Sequence, residues 1–147
     1  MKSRGAFLAM ALFWIATMLV SCSAAPETPP EMYQGTMASG CAPHDAPSTV
    51  IQLEATVGES LVSFNLWPSP GLVPPTTVQF DASHTVGQAA YCTEPGACEA
   101  AEWAEVTLYN PGPSGSVEGE WSLGLEDGRV HRGRFAADWL AIQALCG

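Results

Sequence analysis

Two short clusters hold the residue types that hydrolysis or metal binding would need, His44-Asp45 and Asp81-Ala82-Ser83-His84. A serine hydrolase requires a nucleophile on a positioned turn and a base oriented by a third group. Ser83 and His84 are instead sequence neighbours in a turn-like stretch, with no Gly-x-Ser-x-Gly around them. Asp and Ser side chains that bond nearby backbone account for such a stretch as turn chemistry. An enzyme built here would have to bring Asp81 and His84 together with Glu59 or Glu126 in one cleft. No Gly-rich phosphate loop, histidine pair at metal spacing or calcium loop occurs. The chain therefore reads as a non-enzyme, with no metal or cofactor expected.

Binding residues are the next resort. Trp67 stands before Pro68-Ser69-Pro70 and is the candidate exposed aromatic, a stacking platform for a sugar or an anchor for a peptide. Arg129, Arg132 and Arg134 fall within six residues in an otherwise acidic chain, so Arg132 and Arg134 are candidates for an anion-binding strip. The simpler reading pairs them with Glu118 and Glu120 on a neighbouring strand, for a few tenths of a kcal/mol to about 1 kcal/mol. His131 is expected as a half-buried structural histidine.

These residues need elements to hold them. From Thr49 onward, short apolar or β-branched runs alternate with Gly/Pro punctuation. Val50 to Val57 would bury Ile51, Leu53, Ala55 and Val57. Strands are also expected at Leu61 to Trp67, Thr76 to Phe80, Ala89 to Cys92 and Glu105 to Asn110. Several short strands with almost no helical periodicity argue a small antiparallel β-sandwich or barrel.

The last hairpin is the clearest unit. Val117, Gly119, Trp121, Leu123 and Leu125 share one face. A two-residue Asp127-Gly128 loop would set Trp121 against Arg134 and bury charge. A three-residue loop, Glu126-Asp127-Gly128, instead sets Trp121 opposite Gly133, Leu123 opposite His131 and Gly119 opposite Phe135. Beyond it, Asp138 could cap a short helix over Trp139 to Leu145.

The cysteines bear on location. Upstream of Leu19-Val20-Ser21-Cys22 lie Lys2, Arg4 and an apolar run from Ala6 to Met18, about the length of a secretory signal. The run is shorter than the roughly 20 residues a membrane span needs. These four residues resemble the lipobox of bacterial lipoproteins. The resemblance implies cleavage after Ser21, a lipid on the Cys22 sulfur and an acylated new amino terminus, and so a palmitate-bearing anchor. Ser23 after the cysteine resembles the outer-membrane sorting pattern, if the host has two membranes. The rival is an ordinary signal peptide cut near Ala24-Ala25.

Cleavage leaves 126 of the 147 residues, one domain's worth. The division reads as a signal over 1–21, a lipidated tether over 22–40 and a β-domain over 41–147. The tether would span about 23 Å. Only three arginines then face 15 acidic residues, a net charge of −12. That surface excludes nucleic acid, whose affinity comes from cations on phosphates. It leaves membrane affinity to the lipid.

Four cysteines remain, Cys41, Cys92, Cys98 and Cys146, an even number suited to disulfides in an exported chain. Zinc is disfavoured by the absence of paired Cys-x2-4-Cys spacing. Of three possible pairings, Cys92–Cys98 closes a Pro-Gly turn and leaves Cys41–Cys146 as a terminal staple. Gly119-x-Trp121, Asp127-Gly128, Gly133-x-Phe135-x-Ala137 and a closing Cys146 resemble the small cysteine-bearing β-sandwich domains of uncharacterised bacterial lipoproteins. That resemblance covers about the last 30 residues and implies fold and location only. The expectation is a cell-envelope lipoprotein held in the bilayer through Cys22, binding or structural in role, with an envelope glycan or protein as partner. The alternatives are a carbohydrate-binding or inhibitor module using the Trp67 loop, and an envelope hydrolase.

Overall fold

The computed structural model describes residues 29–69, 71–111, 115–142 and 144–146, with the side chains of 110 and 111 left aside. The signal, Cys22 and the chain to residue 28 lie outside the described residues. Eight strands run in chain order: β1 (Glu31–Cys41), β2 (Pro47–Ala55), β3 (Leu61–Leu66), β4 (Thr76–Phe80), β5 (Gly87–Glu94), β6 (Ala97–Pro111), β7 (Ser116–Leu125) and β8 (Val130–Leu140). Their hydrogen-bonded order is β4-β6-β5-β3-β2-β1-β8-β7, and β7 returns to β6. Seven strands close a barrel, and β4 is an eighth laid against β6.

The expected all-β fold is present, with two corrections. The barrel is mixed, because β1 and β8 pair in parallel, Glu31 beside Gly133 through Ala38 beside Leu140. No helix occurs among the described residues. Asp138, the expected helix cap, lies within β8, opposite Thr36 on one side and Ser116 on the other. Strand neighbours on both edges satisfy its backbone, and a helix of seven residues is too short to compete.

The expected tether to residue 40 also shortens, since β1 occupies 31–41. Pro29, Pro30 and the run of small and polar residues after them disguised a strand that buries only Tyr33 and Met37 fully. Gly35 explains why so weak a pattern pairs. A Cβ there would sit 1.8 Å from the Gln52 carbonyl oxygen, so only glycine lets β1 and β2 approach.

The interior is filled by side chains, as a barrel of this size allows. Trp121, only 3 % exposed, stands near the centre with the Tyr33 ring edge-on at 5.1 Å and the Phe64 ring at 6.0 Å. Small residues on facing strands make room for these rings. Gly119 lies under Phe135, and Gly133 under Tyr33. Truncating a ring such as Trp121 would cost about 3–5 kcal/mol. Ile51 and Leu53 point inward as expected, but Val57 is 79 % exposed. The strand ends at Ala55, and Gly58 takes a left-handed conformation (φ 98°) in the turn.

The final hairpin has the expected register throughout, Trp121 opposite Gly133, Leu123 opposite His131 and Gly119 opposite Phe135. Leu125 and Gly128 close the three-residue loop, with the Leu125 N–H donating to Arg129 O and the Gly128 N–H to Leu125 O. Gly128 takes the left-handed position (φ 84°) that glycine allows without strain. Both disulfides pair as expected, Cys41–Cys146 and Cys92–Cys98. The first staples the end of β1 to the chain terminus, and the second bridges directly opposed residues of β5 and β6.

Candidate functional site

Strand directions give the barrel two ends. Residues 29–31 enter at the end that also holds the β2–β3 turn, Cys92–Cys98 and the β7–β8 turn. The Cys41–Cys146 bridge lies at the other.

At the entry end, Arg129 is clamped. Its guanidinium donates to both Glu99 oxygens (2.7 and 2.8 Å) and to Asp127 Oδ2 (2.5 Å). Nearby, the Tyr33 hydroxyl donates to Glu31 Oε2 at 2.9 Å and shares a bond with Ser60 Oγ at 3.1 Å. Burial pushes the Tyr33 phenol well above its ordinary value, so it stays protonated. His131 stacks on Tyr91 with centroids 3.8 Å apart and planes 17° from parallel. Burial first, and Arg129 second, lower its affinity for a proton. Its Nε2 is buried with no partner among the described residues, in keeping with a neutral structural histidine.

Arg132 and Arg134 do lie on the outer face. Arg134 opposes Glu120 and Arg132 opposes Ser122. Among the described residues, however, the ion pairs belong to Arg129. Glu120 instead accepts the Tyr109 hydroxyl, which raises the Tyr109 pKa. The two arginines share a groove of about 710 Å³ with Glu31, Glu105 and Glu120. Three carboxylates in that groove cancel the field an anion would need, so the structure favours mixed surface charge over an anion strip.

The hydrolase convergence does not form among the described residues. Asp81 Oδ1 accepts the Ser83 N–H (2.9 Å) and the Ser83 hydroxyl (2.5 Å), and the His84 N–H donates to Asp81 O. These bonds hold the Asp81 carboxyl below the usual range. They make the turn that the sequence suggested, with His84 at φ 49°. Glu59 and Glu126 sit in the β2–β3 and β7–β8 connections, outside the cleft that Asp81 lines.

Trp67 is corrected as an exposed platform. It is half-buried, its indole N–H donates to Thr85 O (3.0 Å) and its backbone N–H donates to Val86 O (2.8 Å). Its ring also meets His44 edge-on at 6.0 Å. Trp67 therefore pins the segment entering β5, and the indole polar atom is spent inside the protein.

Two tryptophans are exposed among the described residues, Trp139 (47 %) near the end of β8 and Trp103 (39 %), and Trp103 is the one that lines a cleft. A β-bulge in β6 pairs Ala101 with Leu125 and Trp103 with Gly124, inserting Glu102. Bulges re-aim side chains, and here Ala101 and Ala104 both point inward while Trp103 turns out. Its five-membered ring rests on Gly124, where a Cβ would lie 2.1 Å from Nε1, 2.5 Å from Cε2 and 2.9 Å from Cδ1. Trp103 remains 39 % exposed and lines a cleft of about 400 Å³ with Gln79, Asp81, Ser83, Thr85 and Glu105. Strict alternation inward from Leu108, Val106 and Ala104 would bury Glu102. That conflict is the signal by which the bulge could have been found. No family model, curated protein or solved structure matches the chain.

Proposed function

We propose that this chain is a cell-envelope lipoprotein whose barrel is a non-catalytic binding domain held close to a membrane through a lipid on Cys22. The observation that carries this reading is the cysteine pairing. Both disulfides consume four cysteines and leave Cys22 as the fifth, at the end of an apolar run in a lipobox-like setting. Disulfides of this kind persist in oxidising compartments outside the cytosol. Because β1 begins at Glu31, only residues 22–30 would separate the lipid from the barrel. A coil of nine residues would span about 16 Å. The entry end, with Glu31 and Arg129, would then face the bilayer, and the cleft beside Trp103 lies on the barrel wall. Two or three acyl chains supply a stable anchor where one is marginal. Metabolic labelling with a palmitate analogue should mark the wild-type chain, and Cys22→Ala should abolish the label. An undiminished label in that variant would overturn the anchoring.

A further inference from the structure

We propose that the cleft beside Trp103 is a binding site for one pyranose ring of a neutral β-linked glycan, stacked on the exposed indole and bonded through its hydroxyls to Asp81 and the neighbouring polar groups. The proposal deepens the binding-domain reading and rests on it only for the assumption that the barrel binds.

The indole is a built feature. Two departures from regular strand structure present it, the inserted Glu102 and the missing side chain at Gly124. Glycine beneath the five-membered ring gives the indole a firm seat on the β7 backbone. The axial C–H face of a pyranose is an apolar patch, and an indole face offers a broad apolar surface with negative π density to receive it. The cleft volume, about 400 Å³, lies within the range of small-molecule sites and suits a single sugar ring with its substituents.

Polar groups converge around the ring. Asp81 Oδ1 is occupied by Ser83, and the Asp81 side chain is exposed at the edge of the cleft. Gln79 Nε2 donates to Glu105 Oε2, which fixes both side chains on the cleft wall. Thr85 is held from behind by the Trp67 indole. Ionised carboxylates accept strong bonds from hydroxyl donors, and the lowered Asp81 pKa keeps that carboxylate ionised at neutral pH.

Charge selects among sugars. Asp81 and Glu105 in the cleft, and a net charge of −10 on the whole chain, disfavour uronates and other anionic glycans. A cationic ligand is the competing occupant. Cation recognition uses several aromatic walls around the charge; here Phe80 also lines the cleft but is only 7 % exposed, so Trp103 is the one broad aromatic face offered there.

Calorimetric titration of the full chain in detergent with cellotetraose and chitotetraose tests the site. The wild-type chain should bind at least one of them with a Kd below about 1 mM, a strength of roughly 4 kcal/mol. Trp103→Ala should weaken binding tenfold or more, while Trp103→Tyr retains most of it. Asp81→Asn should weaken it several-fold, and Trp139→Ala, an exposed tryptophan near the end of β8 and outside the cleft, should leave it unchanged. Failure of both oligosaccharides to bind the wild-type chain at millimolar concentration would overturn the proposal. So would undiminished binding by Trp103→Ala, or binding of tetramethylammonium in place of the sugars. Loss of the Cys22 label leaves these results untouched, so the anchor and the glycan site stand or fall separately.

Discussion

The five-membered ring of Trp103 lies on the backbone of Gly124, close enough that any side chain there would displace it. Gly124→Val should therefore act on the cleft as Trp103→Ala does, without touching a cleft residue. Gly124 is on the outer face of β7 beneath the indole, so overpacking and the displaced ring should cost about 1–3 kcal/mol while the barrel still folds. Oligosaccharide titration together with thermal unfolding checks this. Full affinity in Gly124→Val would show that the seat of the indole is irrelevant to the site.

Gly35 makes the opposite kind of demand. The Cβ of alanine would meet the Gln52 carbonyl oxygen at 1.8 Å, and neither partner is a flexible side-chain end. Gly35→Ala should cost more than about 3 kcal/mol, since relief requires moving one strand of the closed barrel. Gly58→Ala, at a left-handed turn with nothing nearby, should cost about 1–2 kcal/mol. Urea unfolding of both variants gives the comparison, and equal losses would contradict the close approach of β1 to β2.

The two disulfides should differ in worth. On the chain-entropy model the Cys41–Cys146 bridge, closing 105 residues, contributes about 4–5 kcal/mol. The Cys92–Cys98 bridge closes six and contributes about 2 kcal/mol. Removing each by paired Cys→Ser substitution should lower the melting temperature more for the first. A larger drop on losing Cys92–Cys98 would mean that native-state contacts, not loop closure, set its value.

His131 gives the fold a pH dependence of definite sign. Its folded-state pKa lies below the unfolded value of about 6.5. The unfolded chain therefore takes up the proton first as pH falls, so stability rises with pH across that window. It is complete above about pH 6.5 and declines as pH drops from there toward the folded value. Arg129 reinforces the shift, while Asp127, Glu99 and Glu31 oppose it. Asp81 and Asp127, whose carboxyl pKa values are lowered, act only near and below pH 4. Unfolding curves between pH 7 and 5 should show the decline, and His131→Phe, which keeps the stack on Tyr91, should flatten it. An unchanged slope in that variant would remove His131 as the cause.

The β7–β8 hairpin and both disulfides were legible because local pattern and tertiary demand agree there. Burying Arg132 or Arg134 beside Trp121 was unacceptable, which fixed a three-residue loop and hence the register. β1 was hidden because Gly35 and Gly40 let it approach β2 by having no side chain, and such a run with Thr36, Ala38 and Ser39 resembles a linker. The parallel pairing of β1 with β8 joins segments about 100 residues apart, a relation no local periodicity carries. The sequence points to Trp67 as an exposed platform and hides Trp103 for related reasons. Pro68 and Pro70 suggested an exposed loop at Trp67, but the acceptors Thr85 and Val86 come from a distant strand entry. Trp103 was overlooked because the bulge at Glu102 breaks the alternation that would have marked it.

Mass spectrometry of the amino-terminal peptide of the chain, isolated from the membrane fraction of its host, tests the account most directly. The lipoprotein reading predicts a peptide that begins at Cys22, carries a thioether-linked diacylglycerol on its sulfur, and has an acylated or free Cys22 amine. A mature chain beginning near Pro26, or one that retains residues 1–21, would contradict it.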